Sequence, residues 1–188
     1  MSVIYATATK TARMTADIAQ IDAGGAAGKI EIGTVGMAAT LVTIPLGYSG
    51  ASTGTVAGAV LTLAGFPRNA LAGIAGKALA ARVRTSANVD VITGLTVGLN
   101  STVAPAWVAS TAVLASVFRT NGVNIYRCAT AGTTAASGGP TGTGTAITDG
   151  TAVWDWYCVA GADILMDVLE FTSGMTVTIN AASITHAA

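Results

Sequence analysis

The apolar residues of this chain come in short runs with a period of two, and glycine, proline or another turn residue breaks each run within a few positions. A strand sends successive side chains to opposite faces, so such runs describe half-buried strands joined by tight turns. Ile30 and Ile32 alternate with Lys29 and Glu31, residues 41–44 stop at Pro45, and residues 60–63 stop before Gly65 and Pro67. Leu79, Ala81 and Val83 point one way while Ala80, Arg82 and Arg84 point the other. Residues 89–93 and 95–99 read as the next pair around Thr93-Gly94. Two further runs, 164–171 and 175–180, flank Ser173-Gly174 and precede a last segment from Ser183. One stretch departs from this period: in residues 11–23, Met14, Ile18 and Ile21 fall at i, i+4 and i+7, and Gly24-Gly25 supply a helix stop. The expected class is all-β: a β-sandwich with one short N-terminal helix and an inserted small β-hairpin module. Residues 1–10, rich in Thr and Ala, read as an arm or edge strand that reaches a neighbouring subunit by strand addition.

Charge restricts what such a chain can bind. Charged residues make up 10% of the sequence, and 9 basic and 9 acidic side chains cancel. No Lys/Arg cluster forms the stripe that phosphate neutralisation needs, so nucleic acid is not an expected partner. Mean hydropathy is +0.63, yet every apolar stretch is interrupted well short of the ~18 residues of a spanning helix, so no membrane span is expected. The first residues lack a basic segment followed by a long apolar core, which points to folding in the cytoplasm. A surface this poor in charge favours association, and the expected resolution is a permanent homo-oligomer.

Catalytic and metal chemistry find little footing. The one histidine, His186, stands next to the chain end. The run Gly24-Gly25-Ala26-Ala27-Gly28-Lys29 fails as a phosphate loop, because it follows a helix and Ile30 replaces the hydroxyl that would bind magnesium. No enzymatic activity, cofactor or metal is expected.

The most informative segment runs from Asn121 to Val159. Two alternating runs enclose a Gly/Thr-rich loop, residues 131–150; Tyr126 and Cys128 share a face of the first run, and Trp154, Trp156 and Cys158 share a face of the second. Antiparallel pairing would bring Cys128 and Cys158 within the ~4 Å Cβ separation of a disulfide. The other reading is two small buried apolar side chains. Tyr126, Trp154 and Trp156 likewise have two readings: a platform on which sugar rings stack, or the apolar mass that a small insert with almost no Leu or Ile needs for a core. Residues 100–118 show no clean alternation around Pro105 and Trp107 and read as an extended connection.

The ordered set Tyr126-x-Cys128, Ala131-Gly132-Thr133-Thr134, Gly139-Pro140, Gly144, Thr148-Asp149-Gly150-Thr151 and Val153-Trp154 resembles a short hairpin module of phage tail, fibre and other virion proteins, itself similar to small chitin-binding-type domains. The flanks, with Thr11-Ala-Arg-Met14, residues 22–25, Lys29-Ile-Glu-Ile32, residues 173–179 and Ile184-Thr-His186, resemble a compact β-sandwich protein of tailed-bacteriophage particles. The resemblance implies a core domain of residues 1–99 plus 161–188, with the hairpin module of residues 100–160 inserted in a sandwich loop. It also implies a virion structural protein, foremost a capsid decoration or cement protein contacting copies of itself and the major capsid protein or other virion proteins. The alternative is a tail or baseplate adhesin that binds host surface glycan through the insert.

Overall fold

A computed structural model describes residues 5–23, 26–47 and 53–185. In chain order its elements are α1 (Thr7–Asp22), β1 (Lys29–Gly33), β2 (Thr40–Pro45), β3 (Gly54–Ala57), β4 (Val60–Leu63), β5 (Arg68–Leu71), β6 (Gly76–Lys77), β7 (Ala80–Arg84) and β8 (Asp90–Leu99). These are followed by β9 (Ala112–Val113), β10 (Phe118–Asn121), β11 (Asn124–Thr130), β12 (Gly132–Thr133), β13 (Ile147–Asp149) and β14 (Ala152–Val159). The last three are β15 (Ile164–Met166), β16 (Glu170–Phe171) and β17 (Thr176–Thr185). The fold is all-β with one short α-helix near the N-terminus. The chain divides into two compact units, Met1–Val97 with Asp163–Ala188, and Gly98–Ala162.

The first unit holds a nine-stranded sheet in the order β2-β1-β7-β8-β15-β17-β4-β3, with β5 also paired to β17, and a separate β6–β16 pair. The long last strand organises it: β5 pairs with residues 176–179, β15 with 179–182 and β4 with 183–185. The sheet curls until β2 approaches β5. Gly73 N donates to Leu41 O at 2.8 Å, and the Arg68 guanidinium donates to the Pro45 carbonyl. Curling lets a single sheet bury its own apolar face, so Ile30, Ile32, Leu41, Leu61, Ile164 and Ile179 are all essentially inaccessible to water. At roughly 1.5–3 kcal/mol for each fully buried large aliphatic side chain, this interior is the principal stabilising term of the unit. The helix adds Met14 and Ile21 and packs against β3 and β4.

Three expectations need correction. Thr7 to Lys10 are helical and form no arm: they are the first turn of a helix that buries Met14 and Ile21 and packs on β3 and β4. Residues 1–4 of the proposed arm, and the Gly24-Gly25 stop, lie outside the described residues. Asp90–Leu99 form one strand, β8, where 89–93 and 95–99 were expected to form a pair. Gly94 adopts φ +74° inside it, and Ala81 and Val83 face Leu95 and Ile92, so residues 93–94 make a bulge where a turn was expected. The run 164–171 is split into β15 and β16, which pair with different strands, β17 and β6.

The second unit is larger than a hairpin. Its four-stranded antiparallel sheet has the order β10-β11-β14-β13, and β9 pairs separately with β12. Two tight turns set the registers. Asn121 faces Asn124 across Gly122 (φ +59°), and Asp149 faces Ala152 across Gly150 (φ +65°), both two-residue connections that require positive φ at their first position. A side chain at Gly150 is doubly excluded, since a Cβ there would lie 2.3 Å from the Thr133 carbonyl oxygen.

Candidate functional site

The segment singled out by its aromatics and cysteines forms the interior of the second unit. Val113, Tyr126, Cys128, Ala152 and Trp154 make a buried cluster, with Trp107, Val117, Ile147 and Trp156 packed around it. Tyr126 and Trp154 are 0% exposed, so neither ring offers a face to a sugar. A glycan platform built on these two residues is thereby corrected to a core. Trp156, opposite Tyr126 in the β11–β14 register, is half-buried.

The same register separates the cysteines. Cys128 faces Trp154, whereas Cys158 faces Ile125. Between the Ile125–Cys158 and Tyr126–Trp156 pairs, β14 carries one extra residue, Tyr157. That bulge breaks the alternation: Trp154 and Trp156 face as Tyr126 and Cys128 do, while Cys158 turns to the face of Ile125. Both thiols are buried and no disulfide joins them, as in the reading of two small buried apolar side chains. Burial raises the pKa of the Cys128 thiol above its ordinary range, against the smaller lowering influences of a backbone hydrogen bond at Thr130 and the charge of Arg119. Cys128 is therefore a poor nucleophile.

Polar side chains hold the Gly/Thr-rich loop on this core. Tyr126 Oη donates to Gly142 O at 2.9 Å, and Asn121 Nδ2 donates to Gly138 O and Pro140 O at 2.9 and 3.0 Å. Asp149, 4% exposed, accepts from Trp107 Nε1 at 2.7 Å and from Ala135 N at 3.0 Å. Thr134 Oγ1 accepts from Thr111 N at 2.8 Å and donates to Val108 O at 2.7 Å. Trp107 thus ties the irregular residues 100–118 to the β13–β14 turn. Nothing in the local pattern around Trp107 signals this, because its partner lies 42 residues away.

The first unit carries a different constellation. On the outward face of β1, β7 and β8, Glu31 lies 2.7 Å from Arg82, 3.3 Å from Arg84 and 3.4 Å from Lys29, and Asp90 bonds Arg84 at 2.7 Å. Register explains the grouping: Glu31 stands opposite Arg82, and Lys29 and Asp90 stand opposite Arg84. Like charges directly opposite each other, such as Lys29 and Arg84, are tolerated because the two carboxylates lie between the cations. Burial alone would raise the Glu31 pKa, but the hydrogen bonds and charges of Arg82 and Arg84 outweigh it and hold the carboxyl below its usual range. Above this strand pair the turn after β7 presents Asn88, at φ +66°, whose side-chain carbonyl accepts from Lys29 Nζ.

An open groove of about 450 Å³ in the first unit is lined by Met14 and Asp17 of α1, by β8, and by Asp163 and Ile184. Asp163 is engaged with Thr96, accepting from its N and Oγ1 at 2.8 Å each. Among the described residues no three His, Cys, Asp or Glu side chains gather as metal ligands would, and no helix is long and apolar enough to cross a membrane. His186 lies outside the described residues. No family model, curated protein or solved structure matches the chain.

Proposed function

We propose that this protein is a structural component of a bacteriophage virion, foremost a capsid decoration or cement protein that works through surfaces buried against copies of itself and the major capsid protein. The observation that carries this reading is where the few charges go. Lys29, Glu31, Arg82, Arg84 and Asp90 are spent on one another, Asp149 on Trp107, Asp163 on Thr96, and Arg68 on the Gly65 and Pro45 carbonyls. Much of the remaining surface is Ala, Thr, Gly and Val, with Val35, Leu71 and Val89 exposed on the first unit and Val108, Leu114 and Val123 on the second. Such a surface is weakly solvated alone and well suited to many modest contacts repeated by symmetry. The likeness of residues 121–159 and of the flanks to phage particle proteins points the same way.

Quantitative mass spectrometry of purified particles tests the assignment. A shell protein is expected at on the order of hundreds of copies per particle, as symmetric repetition over the capsid requires. A few tens would move it to the tail, and absence from the particle would end the proposal. The adhesin alternative now rests on Trp156, whose Nε1 is already committed to Asn124 Oδ1 at 3.0 Å. Equal, negligible glycan binding by wild type and by a folded Trp156→Ala variant would retire it.

A further inference from the structure

We propose that Asn121 is a site of spontaneous deamidation, and that its conversion to a carboxylate unpins the Gly/Thr-rich loop of the second unit. Of the six asparagines in the chain, only Asn121 is followed by glycine. The two reacting atoms, Asn121 Cγ and the Gly122 amide nitrogen, are joined by the chain itself, so closing a succinimide ring between them needs no other protein group. Gly122 opposes that closure least. It is exposed at the β10–β11 turn with φ +59°, no atom beyond its chain neighbours lies within 4 Å of the place a Cβ would take, and Val123 beside it is 76% exposed. The turn can therefore flex without displacing a packed side chain.

The other turn of this kind in the unit is locked. Asp149-Gly150 also makes a two-residue connection, with Gly150 at φ +65°, but Asp149 is buried and its carboxylate accepts from Trp107 Nε1 and Ala135 N. Its glycine is hemmed in by the Thr133 carbonyl. The side-chain bonds of Asn121 run instead through Nδ2, the leaving nitrogen, to Gly138 O at 2.9 Å and Pro140 O at 3.0 Å. Those two carbonyls accept from departing ammonia as well as from the amide, so they do not oppose its loss. They also fix what conversion does. Gly139, between them, sits against both the Asn121 amide and the Trp107 ring, where a Cβ would lie 2.8 and 3.0 Å from the two. Replacing the donor by a carboxylate aims acceptor oxygens at acceptor oxygens, and the pin becomes a repulsion.

The chemistry balances with water as the one co-reactant. The Gly122 amide gives its proton to hydroxide, and its nitrogen bonds Asn121 Cγ. The Cγ–Nδ2 bond breaks, and Nδ2 leaves with a proton from water as ammonia, which restores the hydroxide. Water then opens the ring at either carbonyl: at Cγ it leaves an aspartate, and at the main-chain carbon it leaves an isoaspartate with the chain running through Cγ. Asparagine and water are consumed; a carboxylate and ammonia are produced. Both products lack the Nδ2 donor that holds Gly138 and Pro140.

Incubation of the folded full chain in mildly alkaline buffer, followed by peptide mapping and hydrogen exchange, tests this. The expected result is a gain of about 1 Da at Asn121, ahead of every other asparagine, with exchange at least about ten-fold faster across residues 136–144 of the converted chains. Asn121→Asp should show the same opening at once while melting as a folded protein, and Gly122→Ala should slow the gain in mass. If the positive φ keeps Gly122→Ala from folding, the wild-type time course and Asn121→Asp decide. Asn121 still an amide when another asparagine has converted overturns the inference. So does a converted chain, or Asn121→Asp, whose loop exchanges as slowly as before.

Discussion

The two units solve the same problem with different materials. The curled sheet of the first unit fills its interior with aliphatic side chains such as Ile30, Ile32 and Ile164, supplied by alternation along each strand. The second unit, Gly98–Ala162, builds its aromatic cluster from Tyr126, Trp154 and Trp107, with Cys128, Val113 and Ala152 filling between them, and then ties its loops down with side-chain hydrogen bonds. A unit of this size buries a smaller share of its surface than a large domain does, so a few big rings and a few polar pins must each carry more of the stability. Deletions should therefore be more localised and more damaging in the second unit than in the first.

The largest expected effect is that of Trp154→Ala, about 3–5 kcal/mol, as for other buried Trp or Phe truncations. Hydrogen exchange should show residues 98–162 opening while β1, β7 and β17 stay protected; equal loss of protection in both units would show that they are not energetically separate. Glu31→Ala comes next, at about 2–4 kcal/mol in the first unit, because it leaves Arg82 and Arg84 crowded without their shared anion. The pH dependence follows from the same residue. Its folded pKa is lowered, so its contribution is complete above the ordinary value of 4.5 and is lost as pH falls through the folded value. Acid melts of wild type and Glu31→Gln should converge below that range.

Asp149→Ala should cost about 1–3 kcal/mol, the penalty for orphaning the Trp107 and Ala135 donors. Faster exchange across residues 131–150, with the first unit unaffected, would place the pin where the geometry does. The smallest expected effect is none: a reductant should leave the melting temperature unchanged, since no disulfide joins Cys128 and Cys158. Alkylation of Cys128 should wait for unfolding, given its burial and raised pKa.

Legibility in the sequence followed the range of the interaction. Strands β1, β2, β4 and β7 were readable from alternation, because a sheet residue's face depends on its immediate neighbours. The helix was readable from Met14, Ile18 and Ile21, but its start was not: Thr and Ala at residues 7–10 carry no strong preference, and helix packing on β3 and β4 decided for helix. Strands β3 and β5 went unread, since Gly54 and the Arg68–Leu71 stretch alternate weakly and owe their pairing to β4 and β17. Tyr126, Trp154 and Trp156 stood out as the apolar mass of the insert, while Trp107 did not.

By itself the sequence determined the class of the fold, an all-β chain with one early helix, because pleat alternation is a local requirement. Tertiary structure decided which faces meet. The bulges at Tyr157 and at residues 93–94 shift the alternation by one residue, and a shift of one carries every later side chain to the other face. That is why Cys158 parts from Cys128. Lys29 and Glu31 meet Arg84 and Arg82 through the regular β1–β7 register instead, a pairing across more than 50 residues that no local pattern announces.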